Sequence, residues 1–184
     1  MSKFKLLGIA GSLRRHSTNK GLLRAAKASL PDDVTMEVAD LLQVPLFNPD
    51  FPDPPPSVRR VFDQMAEADG FVLAATEYNY SVAPALKNIL DWASRVPGNA
   101  LLCGKPAAML GAGGPMGTGI GTARAQYHLR QICVFLDLRV LNKPEVFVNA
   151  YAGGFDEEGN LTDPAVIEAV AAQMQALRCA LKLN

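Results

Sequence analysis

The stretch Phe4-Lys5-Leu6-Leu7-Gly8-Ile9-Ala10, running on into Gly11-Ser12-Leu13-Arg14-Arg15-His16-Ser17-Thr18-Asn19, decides how the chain folds. Its first seven residues are apolar except for Lys5. That is the pattern of a strand buried on both faces, as in a parallel sheet covered by helices on its two sides. The polar run then opens Thr18–Leu30, where Leu22, Leu23, Ala25 and Ala26 recur at helical spacing and Pro31 stops the helix. A buried strand, a polar loop and an amphipathic helix together predict the first half of a βαβ unit.

The alternation continues outward from there. Strands are predicted at Val34–Ala39, Phe71–Ala75, Pro106–Leu110 and Val146–Val148. Helices are predicted at Ser57–Ala68 with Ser57 as N-cap, at Pro84–Arg95, at Thr122–Leu136 and at Asp163–Leu183. Strands that alternate with helices pair in parallel and are covered on both faces. Five of them predict an α/β chain with a flavodoxin-like, three-layer doubly wound fold around a five-stranded parallel sheet, as one domain over residues 1–184.

Composition narrows the function. Of 184 residues 49% are hydrophobic and 20% charged, enough for a sizeable core and against global disorder. Lys+Arg and Asp+Glu both total 18, which argues against a nucleic-acid binder and against an acidic electron carrier. Cys103, Cys133 and Cys179 form no CxxC pair and read as reduced thiols. The apolar run Leu6–Ala10 is too short for a signal-peptide core, and no stretch approaches the roughly 20 apolar residues of a membrane span. The expectation is a soluble, cytoplasmic protein.

Ligands of open α/β sheets bind outside the carboxyl ends of the strands, and three loops there stand out. Gly11–Asn19 combines a helix start, hydroxyls at Ser12, Ser17 and Thr18, and two arginines, the makings of a phosphate cradle. It is neither a Walker A loop nor GxGxxG, and it lacks a nucleophilic cysteine. The second loop, Thr76-Glu77-Tyr78-Asn79-Tyr80-Ser81, places two tyrosines around an asparagine, suited to walling a flat ring and pairing with its polar edge. In the third, Gly111–Gly121, six of the 15 glycines crowd together, letting backbone approach a ligand closely. A phosphate and a flat heterocycle bound together describe FMN, which carries its own chemistry. That fits the lack of any metal-site or triad spacing: no metal and no catalytic side chain is assigned, His16 and His128 included. The proline-rich segment PLFNPDFPDPPPS reads as a stiff surface connection, with a wall over a neighbouring site as the alternative.

The blocks GSLRRHSTNKGLLRAA, EYNYSVAPALKNILDWASR and GTARAQYHLRQICVFLDLRVLNKPEVFVNA resemble the NADPH-dependent FMN reductase family. Within it they are most similar to the NAD(P)H:quinone oxidoreductases and bacterial chromate and quinone reductases. The resemblance covers most of the chain, including FDEEGNLTD before the last helix. It implies bound FMN, NADPH or NADH as co-substrate, and reduction of quinones, with chromate and azo compounds as further acceptors; because the loops offer no second pocket, donor and acceptor are expected to alternate at one open ring face in two-electron ping-pong fashion. It also implies a homodimer or homotetramer, for which Leu86, Ile89, Leu90 and Trp92 offer apolar area. By the same resemblance Ser12, Arg14, Ser17 and Asn19 hold the phosphate, with Thr18 beside them. Glu77, Tyr78, Asn79, Tyr80 and Ser81 line the ring, and Gly113 and Gly114 lie near its other edge. Two positions depart from the pattern: Thr76 stands where the family has proline, and the third loop carries extra residues before its GTAR step. A flavodoxin-like carrier, or a module sensing flavin or nucleotide, is the competing expectation.

Overall fold

The computed structural model describes residues 3–114 and 121–183. The chain runs through β1 (Phe4–Ala10), α1 (Thr18–Ala28), β2 (Val34–Val38), α2 (Pro56–Glu67) and β3 (Gly70–Ala74). A short pair, β4 (Glu77–Tyr78) and β5 (Ser81–Val82), leads into α3 (Pro84–Ala93). The remainder is β6 (Pro106–Gly113), α4 (Ala123–Phe135), β7 (Arg139–Val140), β8 (Val146–Asn149) and α5 (Pro164–Leu181).

The central sheet is parallel throughout and ordered β2-β1-β3-β6, with β7 and β8 both on the far edge of β6. The expected five positions are therefore present, and the fifth is filled in two pieces. β7 pairs with Pro106 and Ala107, and β8 with Leu110–Gly113. Between them the segment 142–145 leaves the ladder; it contains Pro144, which has no N–H to contribute.

Period-two alternation sorts the strand residues onto two faces. Leu7, Ile9, Phe71, Leu73, Ala107 and Met109 face α2, α3 and α4, where they meet Val61, Met65, Leu86, Ile89 and Leu129. Leu6, Val72, Ala74, Ala108 and Leu110 face α1 and α5, against Leu22, Leu23, Val170, Met174 and Leu177. Each fully buried Leu, Ile, Met or Phe contributes roughly 1.5–3 kcal/mol, so these two layers hold the sheet between helices.

Three expectations are corrected. α2 starts at Pro56 with Pro55 as its cap residue and no side-chain cap, so Ser57 lies inside the first turn. A proline there supplies a helix-compatible φ and lacks an N–H that would have no intrahelical acceptor. The apolar face of α3 is not a partner surface: Leu86, Ile89, Leu90 and Trp92 are all buried in the chain's own core. Finally, β6 continues to Gly113, which draws the start of the glycine run into the sheet, while Pro115–Ile120 of that run lie outside the described residues.

The order reverses between β1 and β3. From β1 the chain crosses to β2 on one side, and from β2 it returns to β3 on the other. The loops leaving β1 and β3 diverge there and open a crevice at the carboxyl end of the sheet.

Candidate functional site

One wall of the crevice is the start of α1. Ser17 is its N-cap, with Oγ accepting from Lys20 N at 3.4 Å. The N–H groups of Thr18 and Asn19, first and second in the helix, have no intrahelical acceptor, and the helix dipole adds to their pull on an anion. Ser12 is buried, its Oγ accepting from Arg14 N at 3.3 Å. The Arg14 guanidinium is exposed at the mouth and donates through Nη2 to His16 O at 2.9 Å. The helix is braced from outside by the turn 156–160. A Cβ on Gly21 would come within 1.8 Å of Gly159 O, a contact only glycine permits.

Asn19 is tied to the sheet. Its Nδ2 donates to Ala112 O at 2.8 Å and its Oδ1 accepts from Ala112 N at 3.0 Å, pairing with β6 as another strand would. The side-chain amide thus locks the helix start to the strand end, and what Asn19 presents to an anion is its backbone N–H.

The second wall is a hairpin that composition alone did not suggest. Glu77 pairs with Val82 and Tyr78 with Ser81. Asn79 and Tyr80 sit at φ 50° and 66°, the pair of left-handed residues that makes a type I′ turn. Asn tolerates that conformation, whereas for a bulky tyrosine it is an outlier. Contacts to α4 hold it. The Arg124 guanidinium lies 4.0 Å from the centre of the Tyr80 ring. Glu77 Oε2 accepts from Ala125 N at 3.1 Å, and Glu77 Oε1 lies 3.7 Å from Arg124 Nη1. Thr122 makes no side-chain cap on α4, so Glu77 caps it from another segment.

These walls enclose a cleft of about 240 Å³. Ser12, Arg14, Ser17, Thr18 and Asn19 line one side, Glu77 and Tyr78 the other, and Gly113 and Gly114 the floor. A second cleft of about 460 Å³ shares Glu77 and Gly114 and adds Asn79, Tyr80 and Gly121. Ser81 lines neither; its Oγ is hydrogen-bonded to His128 Nδ1 at 3.0 Å.

Four residues of the first cleft had no contact assigned from the sequence: Thr76 and Ala112, which lie in loops singled out there, and Ala150 and Tyr151, which do not. Tyr151 is 76% exposed and follows β8 directly, with its N–H on Asn149 Oδ1 at 3.0 Å. The rule that ligands lie beyond strand ends, applied to the fifth strand as well, would have found it. Thr76 is only 6% exposed, and its Oγ1 has no partner among the described residues.

A third concavity, about 370 Å³, lies under the proline-rich segment and is lined by Phe47, Phe51, Phe62 and Trp92 with Arg95 at its edge. Asn88 pins that segment to α3 through Phe47 N and Pro45 O, both at 2.8 Å, and the concavity shares no lining residue with the two clefts. Two of the thiols, Cys133 and Cys103, are held in the protonated form. Burial pushes Cys133 up to about 12, and the Asp137 carboxylate, 3.0 Å away, raises Cys103. Among the described residues no His/Cys/Asp/Glu cluster could hold a metal, and no helix is long and apolar enough to cross a membrane.

An anion-binding helix start and an aromatic hairpin, brought together where the strand order reverses, define a class: doubly wound α/β proteins that hold a phosphorylated, flat heterocycle. The chain belongs to the NADPH-dependent FMN reductase family, whose profile matches residues 4–153. It is 47% identical over 179 residues to an NAD(P)H-dependent FMN reductase of Pseudomonas aeruginosa, covering 95% of this chain and 93% of that one. It is 45% identical to an NAD(P)H:quinone oxidoreductase of Solanum tuberosum, covering 98% and 94%. Among solved structures it resembles the flavoenzyme NAD(P)H:(acceptor) oxidoreductase of Paracoccus denitrificans, with a TM-score of 0.85, 26% identity and 98% of both chains covered.

Proposed function

We propose that the chain is an FMN-containing NAD(P)H:quinone oxidoreductase. The observation that carries this reading is the convergence of the phosphate cradle and the aromatic hairpin on one cleft at the order reversal. The residues fit FMN. Ser12, Ser17, the Thr18 and Asn19 N–H groups and Arg14 are donors suited to a phosphate, and Tyr78 and Tyr151 flank the cleft as flat surfaces for a ring system. Bound there, FMN would supply the two-electron transfer between NAD(P)H and an acceptor.

The protein's own part is to bind and orient. Glu77 is engaged with Ala125 N and Arg124, so it holds the hairpin in place, and no acid or base of this chain is assigned to the reaction. Quinones are the proposed acceptors, in keeping with the similarity to the Solanum tuberosum enzyme, and chromate or azo compounds are further ones. Arg14 or Arg15, both exposed in the loop after β1, is the proposed ground for NADPH over NADH through its additional phosphate. α4 turns Tyr127, Val134 and Phe135 to solvent at 52%, 81% and 75% exposure, and is the proposed face for a homodimer or homotetramer. Unpaired cysteines suit a cytoplasmic location.

The test is to mix FMN-loaded protein with NADPH in the absence of air, then add benzoquinone. Prompt loss of the yellow colour, its return with quinone, and parallel double-reciprocal lines at several quinone concentrations are expected. Colour that persists through the NADPH step would overturn the enzyme reading in favour of a carrier or sensor.

A further inference from the structure

The Thr76 side chain is the least accounted-for polar group in the cleft. It is 94% removed from solvent, its Oγ1 has no hydrogen-bond partner among the described residues, and it belongs to the cleft wall. A buried hydroxyl without a partner is destabilising, and native proteins keep few of them. Its backbone is well used: Thr76 N donates to Ala74 O at 3.1 Å and Thr76 O accepts from Ala83 N at 3.0 Å. The residue is therefore held fast while its side chain is left over. Its surroundings place it between the two halves of the site. The phosphate loop passes so close that a Cβ on Gly11 would lie 3.2 Å from Thr76 Cβ, and Glu77 of the hairpin is the next residue.

We infer that Thr76 Oγ1 is a hydrogen-bonding partner of bound FMN, left unsatisfied by the protein and completed by the cofactor. The inference rests on the proposed flavin reading and adds a contact to it. It has a thermodynamic signature that a structural hydroxyl lacks. If the oxygen has no partner before FMN binds, replacing it with an isosteric methyl removes a desolvation penalty from the cofactor-free protein and a hydrogen bond from the loaded one.

The experiment compares wild type, Thr76→Val and Thr76→Ser, with FMN affinity measured by fluorescence quenching and thermal unfolding followed with and without FMN. Thr76→Val is expected to bind FMN about three- to tenfold more weakly, the range of a single neutral hydrogen bond. Its cofactor-free unfolding temperature should equal or exceed that of wild type, and Thr76→Ser should restore the affinity. Unchanged affinity in Thr76→Val overturns the inference, because the hydroxyl then makes no contact with FMN. A lower cofactor-free unfolding temperature, or failure of Thr76→Val to fold while Thr76→Ser folds, overturns it too, because the hydroxyl then has a protein partner. If wild type itself binds no FMN, the functional reading falls and the inference with it, an outcome separated from the others by the first titration.

Discussion

Two concavities of this chain invite comparison: the cleft at the strand ends and the aromatic cavity beneath the proline-rich segment. The cavity is the larger, about 370 Å³ against 240 Å³, and its walls of Phe47, Phe51, Phe62 and Trp92 are the more apolar. Its polar groups, however, are already engaged. Trp92 Nε1 donates to Pro45 O at 2.9 Å, and the Asn88 amide bonds the same segment at both its oxygen and its nitrogen. The cleft is the reverse. It holds helix N–H groups without acceptors and a buried hydroxyl without a partner, and the hairpin beside it carries a tyrosine in a left-handed turn. Volume and apolarity describe packing that stops short of closing, whereas convergent polar groups that folding has left unsatisfied describe a place prepared for a ligand.

Substitution on each side should separate the two. The largest effect is expected from Trp92→Ala. Trp92 is 4% exposed and packs edge-on to Phe47 at 5.1 Å, so its removal should cost about 3–5 kcal/mol in a urea titration. FMN affinity of the folded fraction should stay within about twofold; a collapse of affinity would break the comparison by making the aromatic cavity part of the site.

Arg14→Ala should behave in the opposite way. Removing a charge-assisted contact to the phosphate is worth about 1.5–3 kcal/mol, one to two decades in FMN affinity by fluorescence titration. The side chain is exposed, so global stability should move by no more than about 0.5 kcal/mol. Undiminished FMN binding would remove Arg14 from the cradle.

The smallest effect belongs to a site remote from both concavities and sharpens the contrast as a control. Arg178 donates to both carboxylate oxygens of Asp33, at 2.7 and 2.9 Å, and holds Asp33 below its ordinary value of 3.8. A carboxylate favoured by the folded state contributes stability that is fully present above its unfolded pKa and is lost as pH falls through the folded one. Wild type should therefore lose more stability than Arg178→Gln as pH drops below about 4, with equal FMN affinity at neutral pH. Parallel acid denaturation curves for the two proteins would show that the pair contributes nothing.

What sequence could determine here is what neighbours along the chain determine. Apolar runs and helical periods are local, and they placed the helices, the strands of the main layers other than β7, and the loops that bound the crevice. The loop chemistry was legible for the same reason: Ser17 and Thr18 stand at a helix start, Ser12 lies in the loop leading to it, and Glu77–Tyr80 lie in the loop after β3. Whether a side chain is spent or spare was not legible. The Asn19 amide reads as a phosphate ligand until β6, 93 residues away, takes both its ends. The α3 face reads as an interface until Pro45, Phe47 and the sheet cover it. Thr76 reads as a polar turn residue until the fold surrounds its oxygen and supplies no partner. A hydrogen bond depends on atoms brought within about 3 Å of each other, whatever their separation in the chain, so which polar groups remain for a ligand is decided only when the layers close.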